Sequence, residues 1–389
     1  MRVRFRLGLL WRIIIAIILG VAIGMVSPPV PVRIFVTFNA LFSEFLGFII
    51  PLIILGLVTP AIAEIGRGAG KMLVATALLA YVATLLAGFM SYGVGSVVFP
   101  SLITPGIALG EISEAAGVEP FFAIEIPAPF GIMTALVAAF MIGLGLAYLK
   151  TTALRDAFCD FRDIIVKTIQ SVILPCLPVY IFGIFLNMTH SGQVMAVLSV
   201  FVKIIVVIFV MHIALLLLQY IIAGIVTGRN PLRLLWTMLP AYFTALGTSS
   251  SAATIPVTLR QTISNGVREG VAGFVVPLCA TIHLSGSTLK IVACALALML
   301  MQGIPYDFGM FAGFICMLGV TMVAAPGVPG GAIMAALGVL ASMLGFSEND
   351  QALMIALYIA MDSFGTACNV TGDGALALII DRCFAGRNA

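Results

Sequence analysis

Near the end of this 389-residue chain, two carboxylates, an amide and a hydroxyl interrupt a run that is otherwise apolar from about Ala352 to Ile380. Asp362, Thr366, Asn369 and Asp373 are spaced i, i+4, i+7, i+11. At about 100° per residue this spacing predicts one polar stripe on one helix. An ionisable group at membrane depth is costly unless it faces a polar cavity or a partner, so such a group reads as functional. A polar stripe can also serve only to hold helices together, but two acids exceed what that task needs. Two more titratable residues, His283 and Lys290, and a triplet of serines, Ser249 to Ser251, lie in similarly apolar surroundings.

The composition says what kind of chain carries this stripe. It is 62% hydrophobic and 9% charged, whereas a soluble domain carries about 25% charged residues. The long apolar runs predict an all-α polytopic membrane protein; a transmembrane β-barrel would show alternation in segments of about ten residues. The seven cysteines are scattered without a C-x-x-C pair, and read as small packing residues. The basic start Arg2, Arg4, Arg6 runs into an apolar segment long enough to span, so no cleaved signal is expected.

Six spans are expected first: about Leu7–Val26, Ile34–Ile65, Met72–Phe99, Gly131–Leu149, Thr168–Met188 and Val194–Thr227. A Pro-rich connection over 101–130 carries Glu111, Glu114, Glu119 and Glu125 without a Lys or Arg, and Lys150 to Lys167 reads as a charged loop. Basic residues at the N-terminus, at Arg67/Lys71, at Lys150–Lys167 and at Arg229/Arg233 place those ends in the cytoplasm, leaving Arg33 as the one exception. Beyond Gly228 come two apolar arms, Pro231–Gly247 and Ala253–Asn265, each too short to span and separated by Thr248-Ser249-Ser250-Ser251. They predict a re-entrant hairpin. A span over about Val271–Met301 follows, interrupted at Thr281–Ser287. A second pair of arms, Tyr306–Ala325 and Ala332–Leu344, surrounds Pro326-Gly327-Val328-Pro329-Gly330-Gly331, and the striped helix comes last. Paired interrupted segments entering from opposite sides point to a secondary transporter with a site near the bilayer midplane. No G-x-x-x-x-G-K-[ST] motif is present, which favours ion gradients over ATP as the driving force.

The tips Ser249-Ser250-Ser251-Ala252-Ala253-Thr254-Ile255-Pro256 and Gly327-Val328-Pro329-Gly330-Gly331-Ala332, with Asn369-Val370-Thr371-Gly372-Asp373, resemble the dicarboxylate/amino acid:cation symporter family, the glutamate-transporter homologues. The resemblance covers nearly the whole chain. It implies eight transmembrane helices plus two re-entrant helical hairpins in an elevator-type transporter, a homotrimer in the plasma membrane (bacterial inner membrane) with both termini cytoplasmic. Residues 1–70 and 101–192 would form the scaffold and its extracellular connection. Residues 71–100 and 193–389 would form the mobile transport domain. Asp362 would bind the substrate's amino group, and Asn369, Ser250 and Ser251 its carboxylate. Ser287, Gly330, Gly365 and Thr366 would complete the substrate site. Asp373 and Asn369 would hold sodium if that site is retained, and Thr281, His283 and Lys290 would join them in cation coupling. The chemistry agrees: an ammonium wants a desolvated carboxylate, and a carboxylate wants hydroxyl, amide and helix-end N–H donors. No organic cofactor and no nucleic-acid partner is implied, only an amino acid or dicarboxylate substrate, lipid, and a coupling cation, H+ and/or Na+.

The departures are as informative. The family's Asn-Met-Asp-Gly-Thr on the seventh span reads His283-Leu284-Ser285-Gly286-Ser287, and Thr76, Leu79 and Ala80 stand where a Tyr, Thr and Ser complete one sodium site. The arginine that grips a second substrate carboxylate is Gly365, and the second tip is one residue short. These losses favour a small neutral amino acid over an acidic one, and protons over sodium. His283 reads equally as a proton carrier or a hydrogen-bonded core histidine. Lys290 has three readings: a replacement for the missing arginine, a stand-in for lost sodium, or a partner of Asp362 or Asp373. His212 and His190 read as structural, Lys203 as able to reach the interface, and Glu44 as inter-subunit or interfacial. A channel would need a lined pore without occluding hairpins. An intramembrane enzyme would need a base beside the serines, and their own segment has no histidine.

Overall fold

The computed structural model describes residues 9–67, 71–103, 118–192, 194–323, 325 and 329–384. Arg2, Arg4, Arg6, Glu111, Glu114, Arg387 and the tip residues Pro326 to Val328 fall outside them. Every regular element among the described residues is helical. In chain order these are α1 (Leu9–Gly24), α2 (Pro29–Arg67), α3 (Lys71–Leu102), α4 (Ile132–Tyr148), α5 (Ala153–Thr168), α6 (Leu174–His190) and α7 (Val194–Thr227). They continue with α8 (Pro231–Thr248), α9 (Ser251–Ser264), α10 (Glu269–Ile282), α11 (Ser285–Gln302), α12 (Phe308–Val323), α13 (Gly331–Leu344), α14 (Glu348–Ala360) and α15 (Asp362–Cys383).

Five helical segments are long and apolar enough to cross a membrane, six if the bent pair α14–α15 is one span. Of the expected spans, α4 comes out at 17 residues, and α1 has 16 among the described residues. The arms α8–α9 and α12–α13 run 14 to 18 residues each, below the roughly 20 a span requires. Both pairs fold back on themselves as hairpins. The base of the first is stitched by Asn230, whose side chain caps α8 at Leu232 N and Arg233 N, by Asn265 Nδ2 donating to Leu234 O (3.0 Å) and by Arg229 donating to Asn265 O.

Two sets of helices pack internally. In one, α2 lies against α4, α5 and α6, and α1 against α6. In the other, α15 is surrounded by α7, α8, α9, α10 and α11, while α3 packs along α11 and α12. The α10–α11 pair is the most enclosed, with 94% of its apolar window buried, against 33–61% for the other long segments. The connection that the acidic residues mark returns onto α2. Arg33 donates to Pro120 O and lies over the Phe121 ring, Thr37 Oγ1 accepts from Phe121 N, and Glu44 Oε2 accepts from Ile126 N (2.9 Å). Glu44, read from the sequence as inter-subunit or interfacial, is half-buried and has this bond within its own chain.

Two expectations change. The charged stretch 150–167 is not a loop: residues 153–168 form α5, which runs through a π-helical turn, Ile169–Ile173, into α6. Its apolar side supplies Phe161 and Ile165 to a close fit over Gly56 of α2, which is the packing that makes an amphipathic stretch helical. The last helix is not continuous either. It breaks at Met361, with α14 and α15 at 63° to one another. The seventh span breaks likewise, at His283-Leu284 between α10 and α11.

The breaks bring helix ends close. A Cβ on Gly286, in the first turn of α11, would lie 2.7 Å from both Gly365 O and Cys368 Cβ of α15. Backbone oxygen cannot retreat as a flexible side chain can. Gly286→Ala should therefore wedge α11 from α15 at about 1–3 kcal/mol and lower the melting temperature of the detergent-solubilised protein. A variant that melts with the wild type would show that the two helices do not meet this closely.

Candidate functional site

Asp362 is the first residue of α15, placed there by the break at Met361. It is buried, and both of its oxygens are engaged. Oδ1 lies 3.0 Å from Lys290 Nζ, and Oδ2 accepts from Gly330 N at 2.9 Å. Lys290, on α11, is fully buried. Its ammonium also reaches Met361 O (3.4 Å), a carbonyl released by the break, and stands 3.5 Å from the centroid of the Tyr358 ring. Gly330 caps α13 with φ +74°, a left-handed conformation that glycine adopts without penalty. The second hairpin's tip is thereby tied to the first carboxylate of the stripe.

The first hairpin's tip meets the same helix end. Ser249 ends α8 in the left-handed region (φ 50°), and its Oγ lies 2.7 Å from Ser363 Oγ. Ser250 caps α9, accepting from Ala253 N, and Ser251 is the buried first residue of that helix. The N-terminal ends of α9, α13 and α15 therefore gather at one place, where their free N–H groups and helix dipoles favour an anionic group.

Two turns deeper on the stripe, Asn369 Oδ1 accepts from Gly286 N (2.8 Å) and Ser287 N (3.3 Å), while its Nδ2 donates to Ser287 Oγ (3.0 Å). Tyr358 OH donates to the same Ser287 Oγ at 3.1 Å. Asn369 thus closes the open N-terminus of α11. His212 of α7 steadies that turn through Nε2, 3.0 Å from Gly286 O.

Deeper still, Asp373 Oδ1 lies 2.9 Å from His283 Nδ1, both side chains being essentially inaccessible. His283 is the residue at the break between α10 and α11, so its ring is free to turn inward. Its Nε2 faces Gln219 Nε2 of α7 at 3.5 Å, and Gln219 Nε2 also donates to Ser285 Oγ (3.2 Å). Gln219 Oε1 is buried without a hydrogen-bond partner. It lies over Gly372, where a Cβ would come within 2.6 Å of it. Tyr220 and Cys279 are further titratable side chains near Asp373.

The structure thus unites Asp362, Lys290 and Gly330 in one cluster, Asn369 and Ser287 in a second, and Asp373 and His283 in a third, all along α15. Lys290 resolves to the partner of Asp362. Its chain also fills the space over Gly365, where a Cβ would lie 2.7 Å from Nζ and 2.8 Å from Cε. Thr366 is buried on the stripe. Thr281 stands apart: it is exposed, and its hydroxyl bonds back to Leu278 O. Thr76 likewise donates to Met72 O within its own helix. Lys203 is exposed and caps α3 at Leu102 O. Three participants escape sequence reasoning: Gln219, Tyr358 and Ser363. Gln219 carried a usable signal, a lone amide in the apolar α7, whereas Tyr358 looked like ordinary packing.

Residues 9–383 match the Sodium:dicarboxylate symporter family. The chain belongs to that family. Among curated relatives it is similar to the Serine/threonine transporter SstT of Acinetobacter baumannii (strain AYE), 28% identical over 391 residues and covering 97% of each chain. The Serine/threonine transporter SstT of Acinetobacter baylyi is 26% identical over 398 residues, 97% of this chain and 98% of the relative. Human Excitatory amino acid transporter 1 is 30% identical over 235 residues, 59% of this chain and 42% of its own. The protein is a multi-pass membrane transporter and not an enzyme.

The Lys290–Asp362 pair makes a stability prediction. Removing one partner of a buried pair costs about 3–5 kcal/mol because the other charge is left uncompensated. Asp362→Asn should lower the melting temperature more than the double variant Asp362→Asn/Lys290→Met, since the double removes both charges. Thermal melts of the two in detergent decide it, and a double variant less stable than the single one speaks against a buried ion pair.

Proposed function

We propose that this chain is a secondary active symporter for a small neutral amino acid, coupled to protons, working by an elevator movement within a homotrimer. Asp362 receives the amino group of the substrate. Ser250, Ser251, Asn369 and the helix ends around them receive its carboxylate. The observation that carries the coupling is the His283–Asp373 hydrogen bond: an imidazole takes one oxygen of the carboxylate that the resemblance assigns to a cation. Asn369, the other side chain expected to ligate sodium, has its oxygen committed to two backbone N–H groups. A hard cation needs six or so oxygen ligands to offset its dehydration, and here one oxygen of Asp373 already faces the imidazole while the oxygen of Asn369 is taken.

A proton fits the same place without new ligands. When Nε2 of His283 is unprotonated it accepts from Gln219 Nε2; when protonated it needs an acceptor. Rotating the Gln219 amide by half a turn presents Oε1, the oxygen that otherwise has no partner. The two packing groups, one built on α2 and one on α15, support the division into scaffold and moving part. The two hairpin tips converging on α15 support their role as gates. In this reading both termini are cytoplasmic.

Gly365 favours neutral cargo because no guanidinium is present to grip a second carboxylate. The relatives named for serine and threonine agree with this. A thermal-shift screen should show stabilisation by L-serine and L-threonine exceeding that by L-aspartate or succinate, and the opposite order would reverse the assignment.

The coupling test is uptake into proteoliposomes. An inward pH gradient without sodium should drive accumulation, and His283→Gln should abolish that drive. A second reading, sodium coupling, is favoured by the family's own description and by the intact Asp373. Uptake that requires sodium and ignores the pH gradient would establish it and overturn the proton reading.

A further inference from the structure

Lys290 has no task in the symport reading above, yet it is the most completely buried cation described in the chain. Its surroundings are those of an ammonium-binding site: a carboxylate oxygen at 3.0 Å, a carbonyl oxygen at 3.4 Å and an aromatic face at 3.5 Å. This is the equipment an amino acid's own ammonium would use at Asp362. We propose that Lys290 is a tethered counter-ion that substitutes for the substrate's ammonium on Asp362 while the carrier is empty, so that the second hairpin closes without cargo. The inference rests on the reading that Asp362 receives the amino group.

The link to closure is the other carboxylate oxygen. Asp362 Oδ2 accepts from Gly330 N, at the tip of the second hairpin, so one carboxylate bridges Lys290 and the gate. A carrier that closed empty with Asp362 unpaired would bury a lone anion in a low-dielectric site. Lys290 removes that penalty. A reciprocal condition holds for loading: an incoming ammonium takes Oδ1 only as Lys290 gives it up. Gly365 makes the alternation possible, because a side chain there would collide with the last two atoms of the lysine. The charge also balances. Lys290 and Asp362 sum to zero when empty, and a zwitterionic amino acid adds nothing. The empty and loaded carrier therefore cross the membrane with the same charge at this cluster.

A symporter needs its empty carrier to return during net uptake, but exchange of internal for external substrate uses only the loaded carrier. Replacing Lys290 should separate the two. In proteoliposomes assayed with radiolabelled L-serine, Lys290→Met and Lys290→Gln should lower the ratio of net uptake to serine–serine exchange by roughly a hundredfold or more, the factor that removing one partner of a buried pair implies. Exchange itself reports that the variants are folded and bind serine. Loss of exchange together with net uptake in both variants would overturn the inference and make Lys290 part of the substrate grip or of the fold. Unchanged net uptake would overturn it as well. Failure of the underlying reading has a different signature: serine still protecting Asp362→Asn in a thermal shift removes the amino-group assignment, and this inference with it.

Discussion

Everything in this fold answers to one constraint: α15 carries two carboxylates through the most enclosed part of a protein built for an apolar solvent, and each must be matched there without bulk water. The answers are two built-in partners, Lys290 for Asp362 and His283 for Asp373, both from the broken α10–α11 segment. Both partners depend on helix interruptions. His283 reaches inward because it sits in the gap between α10 and α11. Lys290 gains a carbonyl because the chain breaks again at Met361. Breaks normally leave N–H and C=O groups orphaned in the membrane. Here Asn369, Asp362 and the lysine ammonium take them up.

That arrangement also explains why the two hairpins end where they do. A hairpin arm of 14 to 18 residues stops inside the bilayer, so its tip must find polar company or line a cavity. The first finds Ser363 through Ser249, and the second finds Asp362 through Gly330. Because both tips settle on the first two residues of α15, a single carboxylate, that of Asp362, joins the second tip to Lys290.

Close packing makes the geometry possible. Small residues let the deep helices approach: Gly286 against the backbone of Gly365, Gly372 beneath Gln219, Gly365 beneath Lys290. In lipid the drive to associate comes from such packing more than from hydrophobic transfer. Lys290 reaches from α11 into the space that a side chain at position 365 would otherwise occupy, so the bare Gly365 is what lets the ammonium stand beside Asp362.

The sequence by itself determined the all-helical class, the two re-entrant hairpins, the interrupted seventh span and the polar stripe of α15. Each follows from a local property: length of apolar run, placement of Gly and Pro, and the i, i+4, i+7, i+11 spacing. It left Lys290 with three open readings, and showed neither the break at Met361 nor the roles of Gln219, Tyr358 and Ser363. The side-chain roles are decided between segments 64 or more residues apart, where pairing depends on how helices lie beside one another. Periodicity reports which face is polar; only the tertiary structure reports what that face meets. A lysine 72 residues from its carboxylate carries no local mark of the bond, and the 3.0 Å that joins them exists because three helix ends crowd into one low-dielectric pocket.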